Sequence, residues 1–238
     1  IVFSGLKKIN GKNYVERTII KAIKNNVAIY AIHTNFDNVM NGVNAMIASR
    51  LGLTNLKMLS PKGGLLKKLI TFIPDEHYHA VSTAVFAAGA GHIGNYSETS
   101  FNTPGFGTFR GNEHSNPTIG KAGELEKVAE IRFETIFPAY LEGKVLSALF
   151  SAHPYEEVAY DVVLLQNHWN RVGSGMIGEV EEQSEMDFLQ SIKDKMETKV
   201  VRHTPTLGKS IKKVAICGGS GRFLLNDAIA AGADVVMI

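Results

Sequence analysis

The sequence predicts an α/β core interrupted by a ferredoxin-like α+β insert, and three observations predict it. "VAIYAI" at residues 27–32 is a continuous apolar run followed at once by a helical pattern, as for a parallel strand covered on both faces. The closing stretch, "KKVAICGGSGRFLLNDAIAAGADVVMI", reads as strand, glycine-rich turn, helix and strand. Between these ends, a strand closed by proline and followed by a helix occurs twice, in "LLKKLITFIP" and in "EIRFETIFP", the repeat of a split βαβ fold.

Taken in order, "VERTIIKAIKN" carries apolar residues at helical spacing and stops at Asn25-Asn26. After the 27–32 strand, Val39, Val43, Met46, Ile47 and Leu51 mark a second amphipathic helix, starting at Asn38 and closed by Gly52. Leu66 opens a strand to Pro74, and the helix after it stops at Gly89. Residues 91–123 are rich in Gly, Asn, Ser and Thr and read as hairpins and a long loop. The second repeat ends in a helix, "AYLEGKVLSALFSAHP", and the strand "VAYDVVLL". Beyond Gln166 come a short strand "GMIGEV", a helix "SEMDFLQSIKDKM" and a strand "VVRHT". The core therefore takes residues 1–65 and 168–238, and the insert residues 66–167. "IVFSGL" reads as the end of a strand and "ADVVMI" as a strand with nothing after it, so the chain is expected to be part of a longer one.

Composition narrows the function classes. Hydrophobic residues at 45% and charged residues at 20% of 238 fit a globular protein with a sizeable core. A formal charge of +2 points to no nucleic-acid partner, and Lys62, Lys67 and Lys68 read as a solvated strand edge. The lone Cys217 excludes a disulfide framework and fits a reducing cytoplasm. No apolar run is long enough to span a bilayer, so no membrane partner is expected.

Two patterns carry chemistry. His33 and Asp37 lie at the carboxyl end of the 27–32 strand, where α/β sites are built. An imidazole and a carboxylate suit a first-row metal such as zinc, iron or manganese. A competing reading makes Asp37 the N-cap of the helix beginning at Asn38 and His33 a satisfied partner at the strand end. "CGGSGRF" follows a strand and opens a helix, so the amides of Gly218, Gly219, Ser220 and Gly221 could cradle an anion; it reads as readily as a tight turn. His153, Tyr155, Glu156 and Glu157 gather at a helix–strand turn, where Pro154 also reads as plain helix termination. His92, His114 and His203 have no spaced partners, and Trp169 reads as packing. Serine-hydrolase, P-loop and thioredoxin-type patterns are absent.

Together the motifs resemble a family of dinuclear-metal proteins, the GTP cyclohydrolase I type 2 homologues or NGG-interacting-factor-like family. "HTNFD…GVNAMIASRLGL", "GHIGNYSETSFNTPGFGTFRG", "AHPYEEVAYDV", "GSGMIGE" and "VAICGGSGRFLLNDAIAAGAD" stand in the family's order. The resemblance implies a ring-shaped homohexamer, two divalent metal ions per subunit (Zn, Fe or Mn), and an insert similar to the PII and CutA proteins. It makes Asp37 the bridging carboxylate and His33 a second metal-side residue placed to shuttle a proton. It also implies a small-molecule substrate, with GTP or a related nucleotide hydrolysed by a metal-activated water and its phosphates received by the Gly218–Gly221 turn. Its other ligands would precede "IVFSGL" and follow Ile238, the two places where this chain breaks off. The rival expectations are a metal-handling or metal-insertion factor, and a regulatory protein whose insert senses a small ligand.

Overall fold

The computed structural model describes residues 5–238. The chain opens with α1 (Tyr14–Lys24), α2 (His33–Asp37), α3 (Val43–Leu51) and β1 (Thr54–Lys62). β2 (Leu66–Pro74), α4 (Tyr78–Ala87), β3 (Phe101–Phe109), β4 (Glu126–Pro138), α5 (Glu142–Ala152) and β5 (Tyr160–Leu165) follow. β6 (Trp169–Ser184), α6 (Glu185–Lys195), β7 (Ser210–Ile216), α7 (Leu225–Ala230) and β8 (Val235–Met237) close it. The protein is mixed α/β with two four-stranded sheets. It divides into two compact units, one made of residues 1–60 with 174–238, the other of residues 61–173.

In the first unit the strand order is β1-β6-β7-β8, with β6 and β7 antiparallel and β7 and β8 parallel. β7 organises this unit because both its faces are buried. Val214 and Ile216 pack with Ala48 and Leu51 of α3 and Phe188 and Ile192 of α6. Ala215 and Cys217 pack on the opposite side with Leu224 and Ala228. A strand covered on both faces loses its alternation and reads as a continuous apolar run, which is how "VAIC" stands in the sequence. α1 starts at the N-cap Asn13, whose side-chain oxygen accepts from the Glu16 N–H (2.9 Å), while Glu16 accepts in return from Asn13 Nδ2 (2.8 Å). The Asn13 oxygen satisfies one donor that the first helical turn leaves over, and the return bond fixes the cap's side chain.

Several expectations fail here. Residues 27–32 form no strand, and their apolar side chains are exposed, Tyr30 at 85%. Strand structure is conferred by a neighbour's hydrogen bonds; the Val27 N–H instead turns back to the Ala22 carbonyl (2.9 Å). The second helix begins at Val43 rather than Asn38, so Asp37 is the last residue of α2 and caps nothing. Its buried stripe is Asn44, Ala48 and Leu51, leaving Met46 exposed. "VVRHT" is not a strand either; the N–H groups of Leu207 and Gly208, just beyond it, donate to the Glu185 carboxylate (2.9 and 2.8 Å). Of the strand end read at "IVFSGL", residues 1–4 lie outside the described residues. No helix among the described residues is long and apolar enough to cross a membrane.

The second unit runs β-α-β-β-α-β with strand order β3-β4-β2-β5, every pair antiparallel. Alternate residues of β2 (Leu69, Thr71, Ile73) and β4 (Phe133, Thr135, Phe137) are buried, and the apolar ones pack with Val81 and Val85 of α4 and Val145 and Leu149 of α5. Both buried threonines are satisfied, Thr71 donating to the Ala159 carbonyl and Thr135 to that of Thr99 (2.9 and 2.8 Å), as burial of a hydroxyl demands. The glycine- and asparagine-rich stretch at 91–123 gives one strand, β3, and otherwise loop with an isolated bridge between Ile93 and Tyr96.

His153, buried just after α5, has both ring nitrogens engaged. Nε2 lies 3.0 Å from the Phe72 carbonyl, and Nδ1 accepts from the Tyr155 N–H at 3.2 Å. Nε2–H is therefore the donor tautomer. Burial holds the imidazole below its usual pKa. An unfolded histidine titrates near ~6.5 and takes up a proton that the folded one resists. Folding should therefore be most favoured above that pH and weaken as pH falls through it, by at most ~1.4 kcal/mol per pH unit. Urea unfolding of the wild type and of His153→Gln, from about pH 7.5 down to about pH 5, should show this loss in the first and its absence in the second.

Candidate metal and anion site

The first unit brings the two chemical patterns of the sequence together through one buried amide. α2 is a single turn, and its first and last residues, His33 and Asp37, are four apart, so they share a face. The chain reverses at once after Asp37, and Gly42 makes this possible: a Cβ there would lie 1.9 Å from the Phe36 carbonyl oxygen. Ser174 braces the reversal by donating to the Asn38 side chain (3.0 Å).

Asn44, 1% exposed in the first turn of α3, then reaches in two directions. Its Nδ2 donates to the Asp37 carbonyl (2.8 Å), and its Oδ1 accepts from the Gly218 N–H (2.7 Å). Asp37 and the turn at Gly218–Gly221 are thereby locked to one side chain. Cys217, buried beside them, has its thiol pushed above its ordinary pKa by burial first and by the Asp37 charge second. Asp37 is half-buried; His33, Gly219 and Ser220 are exposed.

The anion cradle is smaller than the sequence suggests. Because the Gly218 N–H is held by Asn44 and Gly221 is buried against Cys217 and Ile238, only the amides of Gly219 and Ser220 lie open, and these have no hydrogen-bond partner among the described residues. The donors at Asp37 and His33 suit a hard to borderline divalent ion, but their number falls short. No group of three His, Cys, Asp or Glu that could hold a metal occurs among the described residues, whereas a catalytic zinc takes three protein ligands. The described residues can thus supply part of a metal shell and no complete one.

The other candidates lie apart from this pairing. His153, Tyr155, Glu156 and Glu157 belong to the second unit. His203 contacts the neighbouring Thr204 carbonyl (2.7 Å), His92 and His114 are exposed, and Trp169 stacks on Tyr140. Asn44 was missed by sequence reading. Its signal was a poor helix former at a core-facing helical position, which usually means a buried hydrogen-bonding duty.

A sequence model of the family described as Duf34/NIF3 (NGG1p interacting factor 3) matches residues 1–237. The GTP cyclohydrolase 1 type 2 homolog of Halalkalibacterium halodurans is 41% identical over 239 residues, covering 100% of this chain and 64% of that protein. The protein of the same name from Bacillus subtilis is 39% identical, covering 98% and 63%. The crystal structure of a Bacillus cereus protein related to NIF3 superposes with a TM-score of 0.83 at 43% identity, covering 99% of this chain and 63% of that one. The chain thus spans less than two thirds of the length of these relatives.

Replacing Asn44 with Ala removes both bonds and leaves a partly buried carbonyl and a partly buried N–H without their protein partner. The expected cost is about 3 kcal/mol, from one to three per unsatisfied group, read by urea unfolding. Amide exchange at Gly218 should accelerate in parallel.

Proposed function

This chain belongs to the Duf34/NIF3 family, and from that premise we propose that it is the greater part of a metal-dependent hydrolase acting on GTP or a related nucleotide. The observation that carries the reading is the Asn44 bridge, which couples a carboxylate turn to an amide turn. A nucleotide hydrolase needs a cation site and a phosphate site in fixed register, and a single side chain bonded to both turns sets that register. Asp37 would hold one or both of two divalent ions (Zn, Fe or Mn). His33, on the same face of α2, would move a proton at the reacting oxygen. The exposed amides of Gly219 and Ser220 would receive phosphate oxygens. The ions, when bound, would supply Lewis acidity. The relatives' name, GTP cyclohydrolase 1 type 2 homolog, is what suggests guanine-ring opening of GTP in particular.

The same reading takes the protein as a cytoplasmic, ring-shaped homohexamer and residues 66–167 as a ferredoxin-like insert of the PII and CutA kind. Support for the insert is the β-α-β-β-α-β order of the second unit.

The test is an assay of purified protein with GTP and with generic phosphoesters, before and after chelation, alongside elemental analysis. Metal-dependent loss of GTP with release of formate is the expected result. Asp37→Ala should lower metal affinity by about tenfold or more, since even outer-shell losses cost that much. Unchanged metal content in that variant would refute the assignment of Asp37. A metal-loaded protein without turnover would favour a metal-handling role.

A further inference from the structure

We propose that the second unit carries a separate small-molecule site, which takes a planar group with paired N–H donors such as an amino-substituted nitrogen heterocycle or a guanidinium, and that Glu130 is its recognition residue. It is independent of the nucleotide-hydrolase reading. The site is a cavity of about 550 Å³ walled by the aromatic rings of Phe72, Phe106, Phe109 and Tyr155. Glu130, from β4, lines the same cavity.

The Glu130 carboxylate is held in place by neutral groups. The Tyr155 hydroxyl donates to its Oε1 at 3.0 Å, and burial holds that phenol protonated well above its ordinary range, so the hydroxyl stays a donor. Tyr155 is itself anchored, its N–H donating to the buried His153 and its ring lying against those of His153 and Phe109. On the other side the carboxylate lies over the backbone of β3 at Gly107, where a Cβ would come within 2.1 Å of Oε2. A side chain at 107 would evict the carboxylate; glycine leaves its room.

Glu130 makes no ion pair among the described residues, and its Oε2 accepts no hydrogen bond there. A carboxylate aimed and left with its charge selects a cationic or strongly polarised N–H partner. The lining itself holds Glu130, Glu156 and Glu157 beside one guanidinium, that of Arg110. The ring walls select flatness, since aromatic faces favour stacked planes and cations. Two of these rings already receive such groups from the chain, Lys127 over Phe106 (4.5 Å) and Arg132 over Phe72 (6.0 Å).

The probe is 2-aminobenzimidazole, flat and amidine-like, titrated calorimetrically into the intact chain. 2-Methylbenzoxazole, of similar shape without N–H donors, and benzoate serve as comparisons. Saturable binding of the first alone is expected. Glu130→Gln should weaken it by about tenfold, as loss of one charge-assisted bond implies, and Tyr155→Phe by a smaller factor. The proposal is overturned if 2-aminobenzimidazole shows no saturable binding, if either comparison compound binds as well, or if folded Glu130→Gln binds unchanged. Should that variant not fold, the selectivity among the three probes on the unaltered chain decides.

Discussion

The Asn44 side chain is the constraint on which the first unit's chemistry depends. A buried primary amide has two donors and one acceptor to satisfy, and leaving any of them dry costs more than a made bond returns. Asn44 gives one N–H to the Asp37 carbonyl on one side and accepts the Gly218 N–H on the other. The position of α2 is thus tied to the end of β7, the most deeply buried strand of the unit. Asp37 can vary its side-chain rotamer but not its backbone position relative to the glycine turn. A loop exposed over most of its length is tied to the unit's sheet by this amide and by the Ser174–Asn38 bond beside it.

The sequence was legible where a segment meets its own neighbours and misleading where a pattern needs a partner. The 214–217 run and the 27–32 run look alike on paper, both apolar and continuous. The first is flanked by β6 and β8 and covered on both faces; the second has no strand beside it among the described residues, and its side chains face water. Composition states only that a segment would fit a covered strand, and pairing is a property of the rest of the chain. In the second unit every partner lies within a hundred residues, and both strand–proline–helix repeats appear as read. Pro74 and Pro138 end β2 and β4 with extended backbone, and a 3-10 turn leads into each helix, as their fixed φ and missing N–H favour.

At the candidate site the sequence offered residue types but not their geometry. It placed His33 and Asp37 at the end of a strand that does not form, and the structure sets them four apart on one helical turn. Their link to the glycine turn spans 174 residues and passes through an asparagine that no motif singled out. Its local sign is a polar amide on the buried stripe of α3, between Ala48 and the chain reversal at Gly42. The Glu130–Tyr155 pair is hidden in the same way, because β4 and the turn after α5 meet only in the folded unit.

The carboxylates of this protein sort into two kinds by what orients them. Glu134 lies between Lys68 and Arg132 (2.8 and 2.7 Å) and is held below its ordinary pKa chiefly by these bonds; its charge is answered within the chain. Glu185 is answered by the amides of Leu207 and Gly208. Asp37 and Glu130 differ. Each is positioned by a neutral donor, an asparagine amide on its backbone or a tyrosine hydroxyl on its side chain, and each adjoins a point where a glycine lets main chain or carboxylate pass. Neither forms an ion pair with Lys or Arg among the described residues. A structural carboxylate gains most from a cation close by. One that must greet a ligand gains from fixed geometry with its charge left unanswered, because a built-in cation would compete with the ligand for the same oxygens. By this criterion Glu130 is a carboxylate that the fold orients through a neutral donor without pairing it to Lys or Arg, whereas at Asp37 it is the backbone that is fixed.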